Sequence, residues 1–311
     1  MSAPHDASDT ERLRARGEFH GSQPAEPESR PSAAVNAHEY CQQKAAASGS
    51  SFYYSFLFLP EDRRRAITAL YAFCREVDDI VDETKDAGIA RTKLAWWREE
   101  VRNVYHGQPQ HPVARALKEV VGPYGLAEAQ LQEIIDGMAM DLDYNAYPDF
   151  DALRIYCHRV AGIVGTLAAR IFGYQDARTL EYAENLGLAF QLTNIIRDVG
   201  EDARRNRIYL PMHEMAEYGV TSEDIAQARE TDAFRKLMDF QIARAQRYYD
   251  EAFAKLPAVD RKTQRPGLVM AAIYRTLLNE IQRDGGHVLT RRTALTPIRK
   301  LWIAWRTWLK G

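Results

Sequence analysis

The stretch QLTNIIRDVGED, from Gln191 to Asp202, constrains the fold of this chain more than any other. As a helix it sets Asn194, Asp198 and Asp202 at i, i+4 and i+8, with Gln191 a turn earlier. One stripe of an otherwise apolar surface then carries oxygen ligands. Like charges one turn apart repel, and burying them unpaired costs far more, so a cation is expected on the stripe. An acidic pair standing alone would read as a solvated helix face.

A second stretch argues against that simpler reading. In YAFCREVDDIVD a helix stacks Tyr71, Arg75, Asp78 and Asp82 on one side, at steps of four, three and four, with Asp79 off the stripe. Aliphatic and aromatic residues surround both stripes, so both sets of carboxylates are expected to look into an apolar interior. Oxygen ligands without Cys or His point to Mg2+, with Mn2+ as the alternative, rather than zinc. Mg2+ is commonly shared between one or two carboxylates and substrate phosphates, so two facing acidic helices suit a diphosphate. Bound cations make diphosphate a good leaving group, and an apolar pocket would shield the allylic cation left behind.

DDIVD at Asp78 to Asp82 and NIIRDVGED at Asn194 to Asp202, followed by RIYLP at Arg207 to Pro211, resemble the squalene and phytoene synthase family. The resemblance spans roughly residues 36–292. LAWWREEV, GMAMDLDY and YCHRVAGIVGTLAARIFG make the chain most similar to the bacterial presqualene diphosphate synthases of hopanoid pathways. The resemblance implies an all-α class I isoprenoid synthase bundle around a central apolar cavity. It also implies head-to-head condensation of two farnesyl diphosphates to presqualene diphosphate.

The metal set expected on this basis is Asp78, Asp82, Asn194, Asp198 and Asp202, with Tyr71 and Arg75 beside it. Arg75, Arg197 and Arg207 are expected to hold diphosphate charge, although Arg197, adjacent to Asp198, could point off the stripe. Gln191, Tyr209, Tyr274 and Arg291 are further expected substrate contacts. No NADPH is expected, and squalene-forming enzymes would act downstream. Phytoene, dehydrosqualene or squalene synthase is the alternative activity, and a non-catalytic assembly protein of the same fold is the alternative outside enzymes. That last reading fits poorly with retention of all five proposed metal ligands.

Composition adds boundaries. With 46% hydrophobic and 27% charged residues the chain is ordinary globular material, and a formal net charge of −2 supplies no field for nucleic acid. Cys41, Cys74 and Cys157 are scattered and odd in number, as expected of thiols in a reducing cytoplasm. Residues 1–35, poor in large aliphatics, read as a disordered tail, residues 36–292 as the synthase domain and 293–311 as a separate amphipathic helix.

Along the domain, SGSS at Ser48 to Ser51 is either a helix cap or, with Phe52, the phosphate end of the first pocket wall. Phe150 to Phe172 reads as one long helix interrupted by Gly162 and Gly165, each costing roughly 1 kcal/mol relative to Ala. Close helix packing explains the glycines as well as a kink that makes room for a prenyl chain lined by Val160, Ala161 and Gly165. Asp136, Asp141 and Asp143 lack a clean stripe and read as structural or supporting. Arg204 and Arg205 read as surface charge.

In the last segment Ile298, Leu301, Trp302, Trp305, Trp308 and Leu309 cluster opposite Arg299, Lys300, Arg306 and Lys310, with Ile303 out of place. That pattern suits a membrane interface, making the protein cytoplasmic or peripheral on the inner face of the cell membrane; docking on its own core is the rival.

Overall fold

The computed structural model describes residues 36–47 and 51–310, so the tail expected over residues 1–35 and Ser48 to Ser50 of the serine turn lie outside it. Ser51 opens a helix, but its side chain is also outside the description. The described residues form fourteen α-helices: α1 (Ala37–Ala47), α2 (Ser51–Phe56), α3 (Glu61–Glu83), α4 (Ala87–His106), α5 (Pro112–Val121), α6 (Glu128–Asp143), α7 (Phe150–Cys157), α8 (Ile163–Phe172), α9 (Arg178–Arg204), α10 (Met212–Glu217), α11 (Ser222–Ala226), α12 (Asp232–Lys255), α13 (Arg265–Arg283) and α14 (Pro297–Lys310). They contain no strand ladder, only an isolated parallel bridge between Ala146 and Ile208. The expected all-α architecture is what forms.

The two motif helices are α3 and α9. α3 begins at Pro60 with Glu61 and Asp62 in its first turn, where acids complement the helix dipole. The start of α9 is tied down from a distance. Buried Asp260 accepts the backbone N–H groups of Gln175 (2.7 Å) and Asp176 (3.0 Å) and the Thr179 hydroxyl (2.6 Å). α9 ends at Arg204, and the chain turns just beyond it at Asn206, whose φ of 60° is a left-handed conformation that Asn tolerates. The chain then runs beside the segment after α6, with Ile208 N–H donating to Asn145 (2.8 Å) and Met212 N–H to Tyr147 (2.9 Å).

The long helix expected from Phe150 to Phe172 is broken by a π-helical turn over His158–Gly162. Its glycines are occupied by helix packing. A Cβ on Gly165 would stand 3.1 Å from the carbonyl carbon of Ala183, with the oxygen nearer still. Gly187 on α9 answers from the other side, 2.8 Å from the Ala161 carbonyl carbon by the same measure. The two backbones touch because neither carries a side chain there. Val160, Ala161 and Gly165 also line the cavity described next.

Candidate active site

A cavity of about 200 Å3 lies between α3, α8, α9 and the start of α13. It is lined by α3 from Ile67 to Asp78 and by α9 from Tyr182 to Asn194. At 1.5 Å per residue both walls are about 16–18 Å deep. The far end is apolar apart from Gln264, whose side chain is bound to the carbonyl of Gly173 (2.9 Å) beside Phe172. Phe52 and Phe56 of α2 form a side wall, and Phe52 packs on Tyr71 with ring centroids 5.3 Å apart. At the other end Arg75, Asp78, Gln191 and Asn194 make the lining polar.

Beyond this polar end the acidic helices are bridged by arginines. Arg75 pairs with Asp78 (2.7 Å) and also with Asp79, which Lys44 holds from the other side (2.9 Å). Asp82 accepts from Arg205 (2.9 Å) and Arg207 (2.7 Å), and Arg207 also donates to the Val81 carbonyl (2.9 Å). Arg205 is exposed, as expected of surface charge, and pairs with Asp82 at the rim of the cleft. On α9, Arg197 lies along the stripe rather than away from it, with Nε 2.7 Å from Asp198.

Asp198 is also bound by Arg292 (2.7 Å), which reaches Glu201 as well (3.2 Å). The arginine expected there, Arg291, points away and pairs with Asp284. The strap carrying Arg292 lies directly on α9, where Gly200 N–H donates to the Val288 carbonyl (3.3 Å). A Cβ on Gly200 would come within 2.7 Å of that carbonyl oxygen, so the missing side chain is what lets the strap approach.

Two other expected contacts sit behind the wall. Tyr274 is buried against Phe190, ring centroids 5.0 Å apart, and does not line the cavity. Tyr209 is buried beneath Arg207, and its hydroxyl donates to Asp141 (2.7 Å). Asp141 takes the supporting role expected of it. It also accepts from Tyr156 (3.0 Å), a cavity-lining residue, and the three groups tie α6, α7 and the segment after α9 into one knot under the acidic cleft. Asp136 and Asp143 are outward, paired with Arg98 and Arg91.

The electrostatics separate the carboxylates. Burial, reinforced by the charge of Asp82 and partly offset by Arg75, pushes Asp78 up to about 7. Burial and the charge of Asp198 likewise push Asp202 up to about 7. At Asp198 burial acts in the same direction but is outweighed by hydrogen bonds from Arg197 and Arg292, leaving the carboxyl below its usual range. Burial raises Asp141 to about 6 against the hydrogen bonds of Tyr209 and Tyr156.

These residues fit a divalent cation of the Mg2+ type. Their donors are all oxygens, two carboxylates lack full charge compensation, and the buried Oδ1 of Asn194 at the polar end of the cavity has no hydrogen-bond partner among the described residues. Among those residues no three carboxylate, His or Cys groups converge on one point.

A sequence profile described as Squalene/phytoene synthase matches residues 45–299. The chain belongs to the squalene/phytoene synthase family. Among curated members of that family it is similar to the chloroplastic phytoene synthase 2 of Solanum lycopersicum, 36% identical over 85% of this chain and 87% of that protein. It is similar also to the phytoene synthase of Arthrospira platensis, 34% identical over 87% of this chain and 92% of that protein. Among solved structures, a dehydrosqualene synthase superposes with a TM-score of 0.80 at 28% identity, covering 88% of this chain and 96% of that one. Squalene synthase HpnC from Alicyclobacillus acidocaldarius follows the same path with a TM-score of 0.70 at 28% identity, covering 80% and 94%. The family's prenyltransferase chemistry accounts for an acidic cleft opening on an apolar cavity.

The raised carboxyls lead to a test that needs no turnover. A group whose folded pKa lies above its unfolded value of about 4 contributes stability that is present at low pH and lost as pH rises through the folded value, here about 7 for Asp78 and Asp202. A bound cation restores what is lost. Mg2+ at about 100 times its Kd is expected to raise the unfolding temperature on the order of 5 °C at pH 8 and much less at pH 5. Equal shifts at both pH values would remove these two carboxylates from the metal set.

Proposed function

We propose that the protein condenses two farnesyl diphosphates head to head to presqualene diphosphate with release of one diphosphate. The observation that carries this reading is the pair of acidic helices, α3 and α9, meeting at the polar end of one apolar cavity. Bound at Asp78, Asp82, Asn194, Asp198 and Asp202, divalent cations would neutralise the charge that develops on the departing diphosphate. Arg75, Arg197, Arg207 and Arg292 are placed to take over diphosphate oxygens from the carboxylates they now hold, with paired N–H donors suited to phosphate.

The donor loses its C1–O bond to the leaving diphosphate. The 2,3 double bond of the acceptor attacks donor C1, leaving a tertiary cation at acceptor C3, and loss of a proton from donor C1 closes the cyclopropane between donor C1 and acceptor C2 and C3. Neither stripe offers a His or Lys base, so the released diphosphate takes the proton, with Tyr71 at the boundary between apolar and charged walls to orient it. The apolar lining from Phe52 to Phe172 keeps water from the cation.

The thirty-carbon reading is supported by the close structural likeness to a dehydrosqualene synthase. Identity of 34–36% to phytoene synthases favours the second reading, in which geranylgeranyl diphosphate is condensed to phytoene. Purified protein is to be given each diphosphate with Mg2+, with and without NADPH, and the products analysed before and after phosphatase. Presqualene diphosphate from farnesyl diphosphate, unaffected by NADPH, is the expected result. Turnover of geranylgeranyl diphosphate alone, or release of a hydrocarbon from farnesyl diphosphate, would overturn it in favour of a sister activity.

A further inference from the structure

The C-terminal helix α14 docks by the side that its sequence marks as the exception. Ile303 and Ala304 are buried against the body of the protein, Trp308 stacks on Phe58 (centroids 5.1 Å), and Lys300 lies 5.7 Å from the Tyr54 ring. That docking turns the helix's main apolar stripe outward. Ile298 is 80% exposed, Trp302 53% and Trp305 55%, with Leu301 and Leu309 beside them. These positions step by three or four residues, so they form one continuous ridge. Arg306 flanks it, its guanidinium 5.1 Å over the Trp302 ring, and Arg299 lies on the same flank, held to Glu280 of α13 (2.8 Å). α14 contains four basic residues and no acid.

We infer that this ridge is a docking surface for an anionic lipid bilayer, with Trp302 and Trp305 seated at the headgroup boundary and Arg306 meeting lipid phosphate. Two exposed tryptophans on an apolar stripe flanked by Arg306, in a helix that contains no acid, are what an interfacial helix requires. None of the described helices is long and apolar enough to cross a membrane, so contact through this helix is lateral. A second copy of the chain is a poorer occupant. A single ridge five side chains long falls short of the ~800 Å2 per partner of a specific dimer. Two-fold pairing would also bring like-charged arginines together.

The position of α14 gives the contact a use, which rests on the prenyl diphosphate reading above. The helix packs on α2, whose Phe52 and Phe56 wall the cavity. Its Lys300 is close enough to Arg197 and Arg292 for their charges to lower its pKa, after the larger effect of burial. A bilayer against the ridge would lie beside both the apolar wall and the charged mouth, so a lipid-soluble substrate or product need not cross water.

The test uses the full chain and vesicles, without substrate, so it stands apart from the catalytic assay. Flotation with phosphatidylcholine vesicles containing phosphatidylglycerol is compared with flotation on phosphatidylcholine alone. The wild-type protein is expected to float with the anionic vesicles, its tryptophan emission quenched by brominated lipid. The double variant Trp302→Ser/Trp305→Ser is expected to bind more than about tenfold more weakly. Arg306→Glu, which reverses one charge, is expected to lose about 30-fold on anionic vesicles and little on neutral ones. All three sites are exposed, and thermal melting checks that the variants fold. Absence of vesicle binding by the wild type, binding unchanged in both variants, or a solution dimer that the double variant dissociates would each overturn the proposal.

Discussion

Asp78→Asn and Asp202→Asn are expected to lose turnover on the order of 10³-fold while remaining at least as stable as the wild type at pH 8. The two outcomes are uncommon together, and they share one cause. Burial has already raised both carboxyls to about 7, so the fold disfavours their ionised form and gains when the charge is removed. Cation binding requires that same ionised form, so function is lost by the change that relieves the fold. Asp198→Asn should behave differently. Its carboxylate is stabilised by Arg197 and Arg292, and neutralising it leaves a largely buried guanidinium poorly paired, so activity and stability should both fall, the latter by about 3 kcal/mol. Steady-state turnover and thermal melting of the three variants decide the matter. Appreciable activity in Asp78→Asn would remove the first motif from the metal site, and equal destabilisation of all three would refute the electrostatic distinction.

Gly187→Ala is expected to destabilise the protein by about 3 kcal/mol, with loss of activity following from a distorted wall. The added methyl group has no rotamer to escape into. It would sit 2.8 Å from the carbonyl carbon of Ala161 and 3.0 Å from the Cα of Gly162, both backbone atoms of the π-helical turn. Relief requires α8 and α9 to separate, and these helices carry Gly165, Gly187 and Asn194 on the cavity lining. Gly122→Ala is the control. A Cβ there meets nothing within 4 Å and its φ is −67°, so a change within about 0.5 kcal/mol is expected. Chemical denaturation of both variants measures the difference, and a Gly187→Ala protein as stable as the control would show that the helices are not in backbone contact.

Much of this molecule is legible in its sequence, for a definable reason. The stripes on α3 and α9 are local patterns: a helix with Asp78 and Asp82 a turn apart, among apolar residues, has only one side that can carry them into a cleft. What was misjudged depends on chain crossings. Arg292, in place of the expected Arg291, reaches the acidic cleft only because a strap across Gly200 brings a distant segment onto the second stripe. The supporting role of Asp141 is read from its lack of a stripe, but its partners, Tyr156 and Tyr209, come from two other elements and leave no local spacing. Tyr274 was assigned to the cavity and lies behind Phe190, a distinction of one layer that periodicity cannot make.

The final helix shows the same division from the other side. Its wheel established that α14 has an apolar ridge with basic flanks, but a wheel has no outside. By itself the sequence determined which residues share a surface, because helical periodicity is a property of the backbone. Only the tertiary structure decided which surface is buried. Docking through Ile303 and Ala304 faced the tryptophans outward, just as packing between Gly165 and Gly187 set the cavity wall and returning arginines set the charge of its mouth. Those outcomes turn on how segments far apart in sequence share limited space, and such competition between neighbours is not written in any one stretch of chain.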